Sequence, residues 1–150
     1  MALEPLKQFI CDHCGTVIEK VEDGWLEWIN DGKRPVHGFR IVHHLAASPL
    51  GGQDGCYYRD RLNVSDNHLE YYMGVNGLVR LLAMYGKEHG YGVEDPAELA
   101  EIMRRLYVRH HEEARRYIER AIGDGFVNRL DYYTESELEG IVKEYGEEFA

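Results

Sequence analysis

Three cysteines and two adjacent histidines are the residues best suited to chemistry. Cys11 and Cys14 lie in Cys-Asp-His-Cys-Gly, and the whole spacing is Cys-x2-Cys-x28-His-His-x11-Cys. Two residues between thiols let both sulfurs face one ion while amides of the turn hydrogen-bond to them. Gly15 gives the backbone freedom needed just past the second thiol. A tetrahedral zinc site needs four such donors. The spacing therefore predicts a Cys3His site for structural Zn2+ made by Cys11, Cys14, Cys56 and one of His43 or His44. His43 ends a strand stripe with Phe39 and Ile41. His44 begins a loop, is freer to turn inward, and is preferred. The other histidine would orient a ligand or sit at the surface. His13, His37, Asp12 and Asp54 are substitute ligands. Buried free thiols at Cys11 and Cys14 are the plain alternative. An odd number of cysteines excludes a fully paired disulfide framework within one chain. A redox pair of the thioredoxin kind opens a helix, whereas Thr16-Val17-Ile18 favours a strand.

The elements that must position these residues divide the chain into two parts. Residues 1–64 read as a small antiparallel β module. Lys7–Ile10 and Thr16–Val21 flank the CDHCG turn, Trp25–Ile29 is a strand, and Val36–His43 alternates with Phe39, Ile41 and His43 on one face. Cys56–Arg59 suits a last short strand. Residues 65–150 read as helical. Ser65 or Asp66 caps a helix starting near His68, interrupted by Gly74 and Asn76-Gly77. A second helix follows from about Gly77 to Tyr85, with Val75, Leu78, Val79, Leu82 and Ala83 as its apolar stripe. Asp95-Pro96 opens the longest helix, whose apolar positions run from Leu99 to Ile122 before Gly123 stops it. Thr134-Glu135-Ser136-Glu137 is a capping box for a last helix through about Tyr145. The expected fold is α+β: a zinc-stabilised β module packed on a bundle of about four helices. No Pro/Ser-rich linker divides the two parts, so one cooperative unit is expected.

The first sixty residues resemble zinc-ribbon and treble-clef modules, whose first knuckle has the Cys11-x-x-Cys14-Gly15 form. That resemblance implies a metal that holds the fold. It stops at the first knuckle, since the chain has no second Cys-x-x-Cys. The CxxCG and IVHH segments are also similar to segments of small bacterial and phage proteins that bring no activity with them. The order His43-His44, Gly51-Gly52, Asn63, His68 resembles an HNH-type nuclease. In that reading a neutral imidazole activates water, Asn63 orients it, and a divalent ion near His68 stabilises the phosphorane charge.

Composition bears on these alternatives. The chain has 150 residues with 44% apolar and 29% charged side chains, a globular balance. The net charge of −10 disfavours nucleic acid as a partner. It also weighs against both the nuclease and a zinc-ribbon nucleic-acid binder using Arg104, Arg105, Arg109, Arg115, Arg116 and Arg120. Interspersed glutamates, such as Glu101 and Glu112 at i,i+4 from Arg105 and Arg116, suit intrahelical pairing. Eleven tyrosines and an acidic C-terminal stretch suit a protein partner. No apolar run is long enough to span a bilayer, and no basic, then apolar leader opens the sequence, so the cytoplasm is expected. The expected function is that of a non-enzymatic zinc-binding interaction or regulatory protein.

Overall fold

In the computed structural model, residues 2–50, 55–58, 62–86 and 92–146 are described. Asp54, Gly51, Gly52 and Arg59, all invoked above, lie outside the described residues. Strands β1 (Phe9–Ile10) and β2 (Val17–Ile18) pair antiparallel, with Phe9 opposite Ile18. The turn between them is the cysteine knuckle. Gly15 takes φ +76° there, a left-handed conformation that a side chain would strain.

Strands β3 (Gly24–Ile29), β4 (His37–His43) and β5 (Val64–His68) form an antiparallel sheet in the order β4-β3-β5. Leu26 faces Ile41 across β3 and β4, and Gly24 faces His43. Five α-helices follow among the described residues: α1 (Gly74–Tyr85), α2 (Pro96–Tyr107), α3 (His111–Ala114), α4 (Ile118–Gly123) and α5 (Glu135–Tyr145). The fold is α+β.

Three elements depart from the sequence reading. Ser65 and Asp66 do not cap a helix; they lie in β5, where Ser65 pairs with Trp28 and Asp66 with Glu27. The open edge of β3 offers a complete set of backbone partners, and these outweigh a local capping preference. Residues 55–58 form no strand, although the Tyr58 amide is anchored to Glu27 of β3. The long helix is broken into α2, α3 and α4, with Val108 extended and His110 at φ +70°. Its apolar stripe lapses after Leu106, where Arg109, His110 and Glu113 occupy the positions that would have continued it. The end signals are as expected: Asp95 accepts from the Ala97 amide at 3.0 Å, and Thr134 and Glu137 make the reciprocal capping box.

The core is split differently from the chain. One cluster joins Phe9, Ile18, Leu26 and Ile41 to Leu81 of α1 and to Leu99, Ile102 and Leu106 of α2. A second joins Ala114, Tyr117 and Ala121 to Leu138, Ile141 and Tyr145. Within α1 the buried residues are Gly77 and Leu81. The stripe expected to face the core instead puts Val75, Val79 and Leu82 in solvent. Gly77 is where α1 meets the backbone of the preceding 3-10 turn: a Cβ there would lie 2.0 Å from the Tyr72 carbonyl carbon and oxygen.

Candidate metal centre

Cys11 and Cys14 stand at the two ends of the knuckle turn. The Cys11 amide donates to the Thr16 carbonyl at 2.9 Å, and the Gly15 amide donates to the Cys11 carbonyl at 3.0 Å. The turn is docked on β4. The Asp12 amide donates to the Ile41 carbonyl at 2.8 Å, and Asp12 Oδ2 accepts from the Ile41 amide at 2.7 Å. That docking brings the end of β4 under the thiols. The His43 amide donates to Cys11 Sγ at 3.5 Å, and His43 Nδ1 lies 3.5 Å from Cys14 Sγ.

Cys56 arrives from the segment 55–58, which Glu27 holds against the sheet. Glu27 is fully buried in mid-strand. Its carboxylate accepts from the Tyr58 amide at 3.2 and 3.1 Å and from Arg40 Nη2 at 2.7 Å. Tyr58 in turn donates its hydroxyl to the Gly38 carbonyl at 3.0 Å, and the Arg40 guanidinium lies 3.8 Å from its ring centre. Ser48 Oγ lies 3.0 Å from Cys56 Sγ.

The outcome is one cluster. One ligand atom from each of Cys11, Cys14, His43 and Cys56 lies within 4.8 Å of every other, and these four residues could coordinate a metal ion. Cys11, His43 and Cys56 are buried and Cys14 is half-buried. His43 Nε2 is 3.1 Å from the Val17 carbonyl. A carbonyl only accepts, so Nε2 carries the proton and Nδ1 presents its lone pair to the sulfurs. This is how a backbone acceptor fixes the tautomer of a ligating histidine.

The thiols differ electrostatically. Burial pushes Cys56 up to about 12, against the opposing hydrogen bond of Ser48. Burial also works against the Cys14 thiolate, but hydrogen bonds from the Thr16 side chain and amide outweigh it and leave the thiol below its ordinary value. A bound dication would deprotonate coordinating thiols outright.

The histidine of the cluster is His43, not the preferred His44. His44 Nδ1 accepts from the Ala46 amide at 2.9 Å, capping a short 3-10 turn, and its ring stacks on Trp25 at 5.5 Å. His43 lies on the same strand face as Ile41, and that face meets the knuckle. The substitutes are engaged elsewhere. Asp12 bonds β4, His13 Nδ1 lies 3.3 Å from Arg40 Nη1, and His37 faces Arg34 and Glu94. His68, at the end of β5, is exposed, with its ring 5.9 Å from that of His44. The Asn63 carbonyl accepts from the Asn30 amide at 2.7 Å.

Two residues that matter to the site carried no recognisable signal. Glu27 is one. Arg105 is the other: its side chain is 3% exposed and joins Asp12 of the knuckle at 2.7 Å to Glu112 of α3 at 2.7 Å. Burial opposes the Arg105 charge, but Glu112 and then Asp12 more than restore it, holding the guanidinium above its ordinary value. The other helix arginines are largely paired. Arg104 and Arg115 bind Glu101 at 3.3 and 3.0 Å, and Arg120 lies 3.8 Å from Asp124. Among the described residues, no helix is long and apolar enough to cross a membrane. In comparisons with known proteins, no family model matches the chain, no curated protein matches it, and no solved structure matches it.

Proposed function

We propose that Cys11, Cys14, His43 and Cys56 hold one structural Zn2+, and that the protein is a non-enzymatic interaction or regulatory protein of the cytoplasm. The carrying observation is a complete donor set whose histidine has no nitrogen to spare. With Zn–S about 2.3 Å and Zn–N about 2.0–2.1 Å, a tetrahedron separates sulfur from nitrogen by about 3.6 Å. Cys14 Sγ and His43 Nδ1 are 3.5 Å apart. Three thiolates and an imidazole fill all four positions, leaving none for water or substrate, which is the arrangement of a structural site.

The ion would join the β1–β2 hairpin, the end of β4 and the segment around Cys56. Zinc contributes roughly 10–16 kcal/mol in small modules, as much as the whole stability of an ordinary domain, about 5–15 kcal/mol. The same geometry weighs against the nuclease reading. His43 Nε2 is committed to Val17 and Nδ1 to the cluster, so His43 offers no free base. The pairing of the helix arginines likewise weighs against phosphate binding.

Elemental analysis of protein purified without added metal should give about one zinc per chain. Cys11→Ser and Cys56→Ser should each abolish retention and lower Tm, while His44→Ala should retain the metal. A plasmid-nicking assay with Mg2+ or Mn2+ should show no activity. Metal-free protein of unchanged Tm would overturn the structural assignment. Nicking that is lost in His44→Ala with the fold intact would overturn the non-enzymatic one.

A further inference from the structure

The four donors of the cluster are not equally sheltered. Cys11 is 1%, Cys56 0% and His43 5% exposed, whereas Cys14 is half-buried. Around it in the knuckle, His13, Gly15 and Thr16 are exposed, and the Thr16 hydroxyl lies 3.1 Å from its sulfur. Solvent therefore reaches the cluster through Cys14. A metal-bound cysteine is a thiolate, and the thiolate is the form that an electrophilic oxidant attacks. Cys11 is the second thiol best placed to respond. It shares one turn with Cys14, closed by the Gly15 amide on the Cys11 carbonyl at 3.0 Å. The ligand atoms of the cluster lie within 4.8 Å of one another, so reaching a disulfide's length of about 2.05 Å is a movement within that turn. Cys56 belongs to a separate segment, held by Glu27 through the Tyr58 amide and by Ser48 Oγ at 3.0 Å from its sulfur.

We infer that Cys14 is a site of oxidation by peroxides, and that its pairing with Cys11 releases the metal ion. The ion comes from the zinc assignment, on which its release rests; the site comes from the exposure of Cys14. The Cys14 thiolate attacks one peroxide oxygen. An S–O bond forms, the O–O bond breaks, and the departing hydroxide takes a proton from solvent. The Cys11 thiolate then attacks the sulfenic sulfur. An S–S bond forms, the S–O bond breaks, and a second hydroxide leaves and is protonated. The two sulfurs have given up two electrons, and hydrogen peroxide has been reduced to two waters. Cys56 and His43 remain, half the donors a tetrahedral ion needs. The knuckle keeps its place after release, because its bonds to Ile41 and Arg105 run through Asp12 and the Ile10 carbonyl rather than through sulfur. A dithiol, itself oxidised to a disulfide, reverses the pairing. The pair thus acts as a switch on the ion and not as the helix-opening pair of an oxidoreductase.

The test uses the full zinc-loaded chain and hydrogen peroxide. A chromogenic chelator should record release of the ion in step with loss of two of the three thiols. Peptide mass spectrometry should place a dimedone adduct of the sulfenic acid first on Cys14 and, after longer exposure, a disulfide between Cys11 and Cys14. Dithiothreitol with added zinc should restore the metal-bound chain. Cys14→His keeps a donor for zinc and removes the exposed sulfur, so its release should be at least about tenfold slower. Zinc content before treatment reports on the metal assignment alone, and the map of modified sulfurs decides the oxidation site with or without the ion. A first adduct on Cys11 or Cys56, a disulfide to Cys56, or a parent that keeps all three thiols while free glutathione beside it is oxidised would each overturn the inference. So would release from Cys14→His as fast as from the parent.

Discussion

Arg105→Met tests the joint between the knuckle and the helices. The native guanidinium makes two charge-assisted bonds to Glu112, at 2.7 and 2.9 Å, one to Asp12 at 2.7 Å, and one to the Ile10 carbonyl at 3.1 Å. Methionine fills similar volume and removes every one of them. Asp12 is 23% exposed and regains water. Glu112 is only 6% exposed and is left as a buried, uncompensated carboxylate. Breaking a buried pair in this way costs about 3–5 kcal/mol, a large fraction of ordinary domain stability. The penalty comes chiefly from the orphaned charge, so neutralising it should return part of the loss. Glu112 Oε1 also accepts from the Ile10 amide at 3.0 Å, a role the Gln oxygen can keep. Arg105→Met with Glu112→Gln should therefore recover at least about 1–2 kcal/mol of the single variant's deficit. Urea unfolding can be followed by tryptophan fluorescence, since Trp25 and Trp28 both lie in β3, and by circular dichroism for the helices. The two transitions should coincide and move together. A loss below about 1 kcal/mol, the size expected of a surface pair, would refute the reasoning. So would a double variant no better than the single one.

Further outcomes are expected elsewhere in the molecule. Burial opposes the Glu101 charge, but the hydrogen bond and charge of His111, then Arg115, hold its carboxyl at about 2 against an ordinary 4.5. A carboxyl depressed in the folded state stabilises above its unfolded pKa and loses that contribution as pH falls through the folded value. Glu101→Gln should thus flatten the stability profile between about 4.5 and 2 in acid titrations followed by circular dichroism, and an unchanged profile would dismiss the coupling. Gly140 lies within α5, where an added Cβ would meet nothing within 4 Å, whereas a Cβ on Gly77 would strike the Tyr72 carbonyl at 2.0 Å. Gly140→Ala should raise stability by about 0.5–1 kcal/mol, and Gly77→Ala should lower it; the same sign for both in thermal melts would contradict the packing. Glu27→Gln weakens the hold of Arg40 and the Tyr58 amide on the segment bearing Cys56. On the zinc assignment, affinity for the ion in a chelator competition should fall by about 10–100-fold, and an unaltered affinity would show that the segment is held by other means.

The sequence made the knuckle legible because its chemistry is local. Cys-x-x-Cys-Gly specifies a turn, and Gly15 adopts the left-handed backbone that the turn requires. The starts of α2 and α5 were legible for the same reason, since N-terminal caps are set by residues two or three apart. Choosing between His43 and His44 requires knowing which face of β4 meets the knuckle. The stripe Phe39–Ile41–His43 is visible in the sequence, but its resemblance to plain core hides its other use. Glu27 is hidden further: its reason is Arg40, its partner across the strands in the β3–β4 register, and no local pattern encodes that pairing. The apolar face of α1 escapes a sequence reading because periodicity identifies a stripe without stating whether this chain or another covers it. The break after Tyr107 does leave a trace, in the polar run where the stripe of α2 should have continued.

The Arg105 joint also bears on the order of events during synthesis. On the zinc assignment, the last ligand, Cys56, precedes Arg105 by roughly fifty residues of chain, which a ribosome takes about 2–10 s to add. For that interval the nascent sheet has its complete set of metal donors while Asp12 and the Ile10 carbonyl still await the guanidinium. On that assignment all four metal donors are made before the helices that lock the knuckle in place, so metal binding and the Arg105 joint depend on different parts of the chain.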